Sequence, residues 1–288
     1  MSDHIEAAPS RIVSTRHLPR VIWVSLSWVI ALLLIAFAAE AIKPYDISAI
    51  DLTNRLSPPL GFGGRAAHLL GTDELGRDVL SRLLLSIQLS IFIAFGATLL
   101  GAVLGTTLGF LAAYSRGYIE HAILALVDFQ ATMPFLILAL SVLAFVGNSL
   151  PIFVGLLALH GWERYARIAR GLAIAASAQG YAGAVRQLGA RPVRIYLRHI
   201  LPNVASTLIV SMTISFPEII LVESGLSFLG LGVQPPATSL GSMVGYGRDY
   251  LTTAPWILLI PATVIVLTTL AVSLLGDWLR DRLDGPAR

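Results

Sequence analysis

Four stretches of this chain run without Asp, Glu, Lys or Arg: 19 residues from Val21 to Ala39, 33 from Leu83 to Ser115, 34 from Phe129 to Trp162 and 26 from Leu251 to Gly276. A helix crosses the hydrocarbon core of a bilayer with about 20 predominantly apolar residues. Every backbone N–H and C=O in that core must be satisfied within the protein, and an unbroken apolar run achieves this only as a helix. An all-α, polytopic membrane protein is therefore expected. A mean hydropathy of +0.77 leaves too little polar area to clothe a soluble surface instead.

Six transmembrane helices fit the pattern, at about 21–42, 84–114, 121–146, 150–168, 202–224 and 254–279. Gly147 to Pro151 splits the 34-residue run into two spans. Pro134 and Pro217 fall inside spans, where neighbouring helices can satisfy a freed carbonyl. With the N-terminus inside, fourteen basic residues face the cytoplasm and six face out, so both termini are expected to be cytoplasmic. This divides the chain into a tail (1–20), a transmembrane domain (21–280) and a second tail (281–288). Within the domain lie an outer loop (43–83), a cytoplasmic loop (169–201) and a second outer loop (225–253). Val21–Ala39 is longer than the apolar core of a signal peptide and reads as an uncleaved first span.

Composition narrows the chemistry. Cysteine is absent, which excludes disulfides and thiolate metal sites. Lys43 is the only lysine and stands in AIKPYD, so no phosphate-binding loop of the form G-x-x-x-x-G-K-[ST] exists here. Any ATP, with its Mg, must be bound by another chain, and this one is expected to bind no cofactor. The histidines at 4, 17, 68, 121, 160 and 199 are scattered, without metal-ligand spacing. No nucleophile stands beside a base, so a membrane enzyme is disfavoured. A net charge of only +3 gives no reason to expect a nucleic-acid partner.

Several stretches stand out within this frame. Gly101, Gly105 and Gly109 fall on one helical face, where missing side chains let a second helix approach closely. Residues 68–86, HLLGTDELGRDVLSRLLLS, carry Leu75, Val79 and Leu83 at four-residue spacing. They offer Asp73–Arg77 and Asp78–Arg82 as i,i+4 pairs, which reads as an amphipathic helix at the outer interface, either an anchor or a lid. Asp128, Glu218 and Glu223 are ionisable groups in or near spans and are candidates for a pathway. Residues 181–203, YAGAVRQLGARPVRIYLRHILPN, give two short amphipathic helices around a turn. Tyr181, Ala184, Val185 and Leu188 form one apolar stripe and Val193, Tyr196, Leu197 and Ile200 a second, with Gly189 and Pro192 between them. Positive-inside topology accounts for the arginines of this segment but not for its stripes.

This last segment resembles the EAA loop of bacterial ABC importer permeases. Gly183, Ala184 and Val185 stand at the E-A-A positions, Gly189 at the loop glycine, and Leu201-Pro202 at the ending. Three further stretches resemble the dipeptide/oligopeptide/nickel subfamily and its C-type permease: LLGTDELGRDVLSRLL, ESGLSFLGLGVQPPATSLGSM and GDWLRDRLD. Together the likeness spans residues 65–284. Gly183 departs from the usual glutamate, and Leu240 stands where a tryptophan is common.

The resemblance implies a type I importer permease in the bacterial plasma (inner) membrane, one half of a pathway for short peptides. Its implied partners are a second homologous permease, two ATP-binding cassette subunits and an extracytoplasmic substrate-binding protein. The implied coupling surface comprises Tyr181, Gly183, Ala184, Val185, Arg186, Leu188, Gly189, Ala190, Arg191, Pro192, Leu201 and Pro202. The implied outer gate or docking element comprises Gly71, Thr72, Asp73, Gly76, Arg77 and Asp78. Nickel or another small solute is the alternative cargo. An ion-coupled secondary transporter is the alternative class, although no inverted repeat is visible.

Overall fold

The computed structural model describes residues 19–178 and 191–283. Among the described residues nine helices carry the fold: α1 (Arg20–Ile42), α2 (Val79–Ser115), α3 (Gly117–Thr132), α4 (Phe135–Val146), α5 (Leu150–Ala158), α6 (Trp162–Ala178), α7 (Pro192–Phe228), α8 (Leu240–Gly247) and α9 (Trp256–Leu283). Short 3-10 turns occupy the loops between them, and no strand forms among the described residues. Among the described residues α1, α2, α7 and α9 are each long and apolar enough to cross a membrane, and the bent pair α3–α4 adds a fifth when counted as one span rather than a re-entrant loop.

Two expected spans are broken. The stretch 121–146 bends by 95° between α3 and α4. Pro134 lacks an N–H and pushes Met133 out of helical geometry, to φ −80° and ψ 131°, and the Met133 amide closes the end of α3 on Phe129 and Gln130. The stretch 150–168 is likewise two helices rather than one. Gly161 takes a left-handed φ of +89° and starts α6 on a new course. Pro217, by contrast, is accommodated inside α7.

Helix α2 is the central post. Its glycine row faces the backbone of α5 and α6 directly: a methyl group at Gly101, Gly105 or Gly109 would meet the carbonyl of Ala158, Trp162 or Ala166 respectively. Each step of four on α2 matches a step of four on its partner, so the two run parallel with almost no side chain between them. The main core joins α1, α2, α4, α5, α7, α8 and α9 around Ile93, Phe153, Leu157, Ile219 and Leu226. A separate core, with Phe110, Ala169, Ala173, Ile195, Ile200 and Val204, ties the far ends of α2 and α6 to the start of α7. The loop before α2 meets the start of α9 through Thr72 and Trp256, and α2 meets the end of α7 through Ser90 and Glu223, so the molecule has two distinct ends joined by long helices.

Candidate functional site

At one end of the bundle, in the stretch expected to be an outer loop, residues 43–78 form a knot rather than the expected amphipathic helix. Helix geometry begins only at Val79, because Asp78 caps it: Asp78 Oδ2 accepts from the Ser81 amide at 2.8 Å and its hydroxyl at 2.7 Å. With its carboxylate turned to those donors and to His68 Nδ1 at 3.0 Å, Asp78 does not pair with Arg82. Arg82 instead reaches Asp73 Oδ2 at 3.3 Å, where Arg77 Nε also donates at 2.7 Å. The other Asp73 oxygen accepts the amides of Leu75 and Arg77, each at 2.9 Å. Gly71 and Gly76 take left-handed φ of +80° and +75°, and a methyl at Gly76 would fall on the Asp51 carbonyl. Trp256, at the head of α9, donates to the Thr72 carbonyl at 3.2 Å. All six of Gly71, Thr72, Asp73, Gly76, Arg77 and Asp78 thus belong to one clasp, with Thr72, Asp73 and Asp78 buried.

Below the clasp, Glu223 is wholly buried on α7 within a ring of hydroxyls. Ser227 donates to it at 2.8 Å, Ser224 at 3.4 Å and Ser90 of α2 at 3.5 Å. Ser90 in turn accepts the Leu240 amide at 3.0 Å, and Ser239 and Ser242 cap α8 reciprocally. A single carboxylate therefore holds α2, α7 and the short α8 together. The close approach is permitted by Gly241, where a methyl would come within 2.9 Å of Ser227 Cβ.

Deeper in the bundle, Glu218 meets His160 and Arg164 across the α5–α6 break. Arg164 donates to the Glu218 carboxylate at 2.9 and 3.5 Å, and His160 Nε2 lies 3.2 Å from Oε1. The His160 ring packs on Phe135, the first residue of α4, with centroids 4.5 Å apart. The two helix breaks and the charged cluster thus meet at one place. Asp128 lies elsewhere, in an exposed pair with Arg167 at 3.0 Å, while Arg170 binds Glu120 at 2.8 Å. The three acidic pathway candidates Asp128, Glu218 and Glu223 consequently form no common site. Among the described residues no group of three His, Asp or Glu side chains could hold a metal ion.

Of the expected coupling surface, Tyr181, Gly183, Ala184, Val185, Arg186, Leu188, Gly189 and Ala190 lie outside the described residues. Arg191 is the N-cap and Pro192 the first residue of α7. Tyr196–Ile200 widens into a π turn just before Pro202. Without an N–H, Pro202 cannot donate to the carbonyl four residues back, and a wider turn absorbs the mismatch. The expected stripe of Val193, Tyr196, Leu197 and Ile200 divides accordingly. Ile195 and Ile200 are buried, and Tyr196 packs on Phe110 and Tyr114 of α2 at 5.3 and 6.2 Å. Val193 and Leu197, 68% and 56% exposed, form a separate apolar step facing outward.

Sequence reasoning missed His160, Arg164, Ser90 and Trp256. His160 and Arg164 flank Gly161 at four-residue spacing, a visible signal, but the arginine had already been accounted for as a topology charge. Ser90 and Trp256 meet their partners over 133 and 184 residues of sequence and left no local trace.

Parallel helices zipped by glycine, a bent apolar helix pair and a 37-residue apolar rod define a helical membrane protein. The family of binding-protein-dependent transport system inner membrane components matches residues 105–286, and the chain belongs to it. Its relatives include the di/tripeptide transport system permease protein DppC of Pseudomonas aeruginosa, 38% identical over 90% of this chain and 87% of that one. The glutathione transport system permease protein GsiD of Pectobacterium atrosepticum is 36% identical over 89% and 84%. A solved inward-facing structure of the MetNI methionine ABC transporter shares the fold with a TM-score of 0.58 at 20% identity, covering 71% of this chain and 97% of that one.

Proposed function

We propose that this chain is one of two permease subunits of an ATP-driven importer of short peptides in the bacterial inner membrane. The names and high coverage of its di/tripeptide and glutathione relatives support the cargo class. Two ATP-binding cassette subunits on the cytoplasmic side bind ATP and Mg, and an extracytoplasmic binding protein delivers the peptide to the outer end.

One observation carries the mechanism. The outward-facing step of Val193 and Leu197 is continuous with α7, a 37-residue rod that also carries Glu218 and Glu223. Force applied by a closing ATPase pair to that step, and to 181–190 before it, is delivered along α7 to mid-membrane depth and to the outer clasp. The breaks at Pro134 and Gly161 let the neighbouring helices reorient as α7 moves. ATP thereby biases a two-state bundle between inward-open and outward-open forms.

The test replaces Val193 and Leu197 by aspartate in the complex expressed with its ATPase and second-permease partners. Both side chains already face outward, so the chain should insert normally while ATPase co-purification falls. Full co-purification with full transport would refute this role for the step.

A further inference from the structure

Glu218 and Arg164 are a puzzle as a structural pair. Their side chains are 40% and 42% exposed, yet they lie deep in the bundle. Glu223 marks the level of Ser90 on α2, and Ala166 the level of Gly109. Those two α2 positions are separated by about 28 Å of helix. The pair sits between them, at a depth where charges face a pathway rather than lipid.

Beside it opens a cleft of about 440 Å³, walled by Pro134, Phe135, Leu136, Leu221 and Val222, with Glu218 and His160 at its polar end; Arg164 lines the adjoining cleft with Ser211 and Ile214 and reaches this one only by swinging past Glu218. A volume of a few hundred Å³, mostly apolar with a few convergent polar groups, is what a small-molecule site requires.

We propose that this cleft receives the transported peptide in transit, its ammonium on Glu218, its carboxylate on Arg164 and an apolar side chain against Phe135 and Leu221. The assignment rests on the peptide-importer reading above and extends it to named contacts. The resting ion pair supplies both signs that a zwitterion needs. On arrival one pair is exchanged for two, with no change in net charge and no carboxylate or guanidinium left unpaired. His160 bonds Glu218 from the other side and is itself held on Phe135, which keeps the carboxylate in place while Arg164 swings. An exchange of like for like is close to balanced, which suits a site that must release its occupant.

The test uses the complete transporter, with second permease, ATPases and binding protein, in proteoliposomes. Ala-Ala and Phe-Ala uptake are measured per ATP hydrolysed. Glu218→Gln and Arg164→Gln are expected to lower peptide moved per ATP about tenfold, with subunit assembly and ATPase stimulation by loaded binding protein retained. Leu221→Trp, at an exposed position, is expected to penalise Phe-Ala more than Ala-Ala by about fivefold. Unchanged ratios in all three variants, with a wild type that moves both peptides, would overturn the site alone. Loss of the second permease on purification of the charge variants would also overturn it, making the pair a subunit contact. A wild type that moves neither peptide under ATP would instead remove the peptide-importer reading on which the site depends.

Discussion

Replacing Gly105 by alanine adds one methyl group and should do more damage than its size implies. That methyl would fall on the Trp162 carbonyl, 2.7 Å from Tyr165 Cβ and 3.0 Å from the Ala166 amide. Two of those three neighbours are backbone, so no side chain can swing away. Relief requires α2 and α6 to part by several tenths of an ångström, which also loosens the contacts at Gly101 and Gly109. Overpacking of this kind costs about 1–3 kcal/mol, against about 1 kcal/mol gained from the better helix propensity of alanine. The net loss, up to about 2 kcal/mol, lowers the melting temperature by up to about 3 °C at this chain length. The control is Gly171→Ala on α6, where a methyl meets nothing within 4 Å and only the propensity gain remains. Thermal unfolding of detergent-solubilised protein, followed by tryptophan fluorescence, reports both, with Trp162 at the altered contact. If Gly105→Ala melts at or above wild type, alongside Gly171→Ala, the backbone-to-backbone zipper is wrong.

Three further outcomes follow from the geometry. Asp73→Ala leaves Arg77 and Arg82 without their shared buried carboxylate, a change worth about 3–5 kcal/mol; limited proteolysis should then cut within 43–78 while the membrane helices stay protected. Glu223→Gln keeps one acceptor oxygen and gives the remaining hydroxyls an amide donor to accept from, so it should hold α8 in place, whereas Glu223→Ala strands them at a cost of about 1–3 kcal/mol; hydrogen exchange of 239–247 separates the two. Tyr196→Ala removes the ring that packs on Phe110 and Tyr114, and should lower transport per ATP more than it lowers ATPase binding, because it cuts the link between the Val193–Leu197 step and α2.

The long apolar runs made the membrane class and most helix positions legible, since bilayer thickness allows few alternatives. The glycine row on α2 was read as a packing face, and it packs as one. What stayed hidden depended on contacts distant in sequence. Asp73 and Arg77 look like a helical pair, but the i,i+4 spacing also suits a turn, and only the cap at Asp78 shows where the helix starts. Pro134 and Pro217 look alike in sequence, yet one breaks its helix and the other does not. Arg164 was counted for topology, and nothing nearby in the chain announces its partner 54 residues later.

Reconstituted transport tests the central claim most directly. The chain, its second permease, two ATPases and the binding protein are placed in sealed vesicles without ion gradients, and labelled dipeptide is added with the binding protein outside. Accumulation that starts with ATP at the ATPase side, and stops when the binding protein is withheld, is the expected result. Accumulation driven by an imposed proton or sodium gradient in the absence of ATP would contradict it.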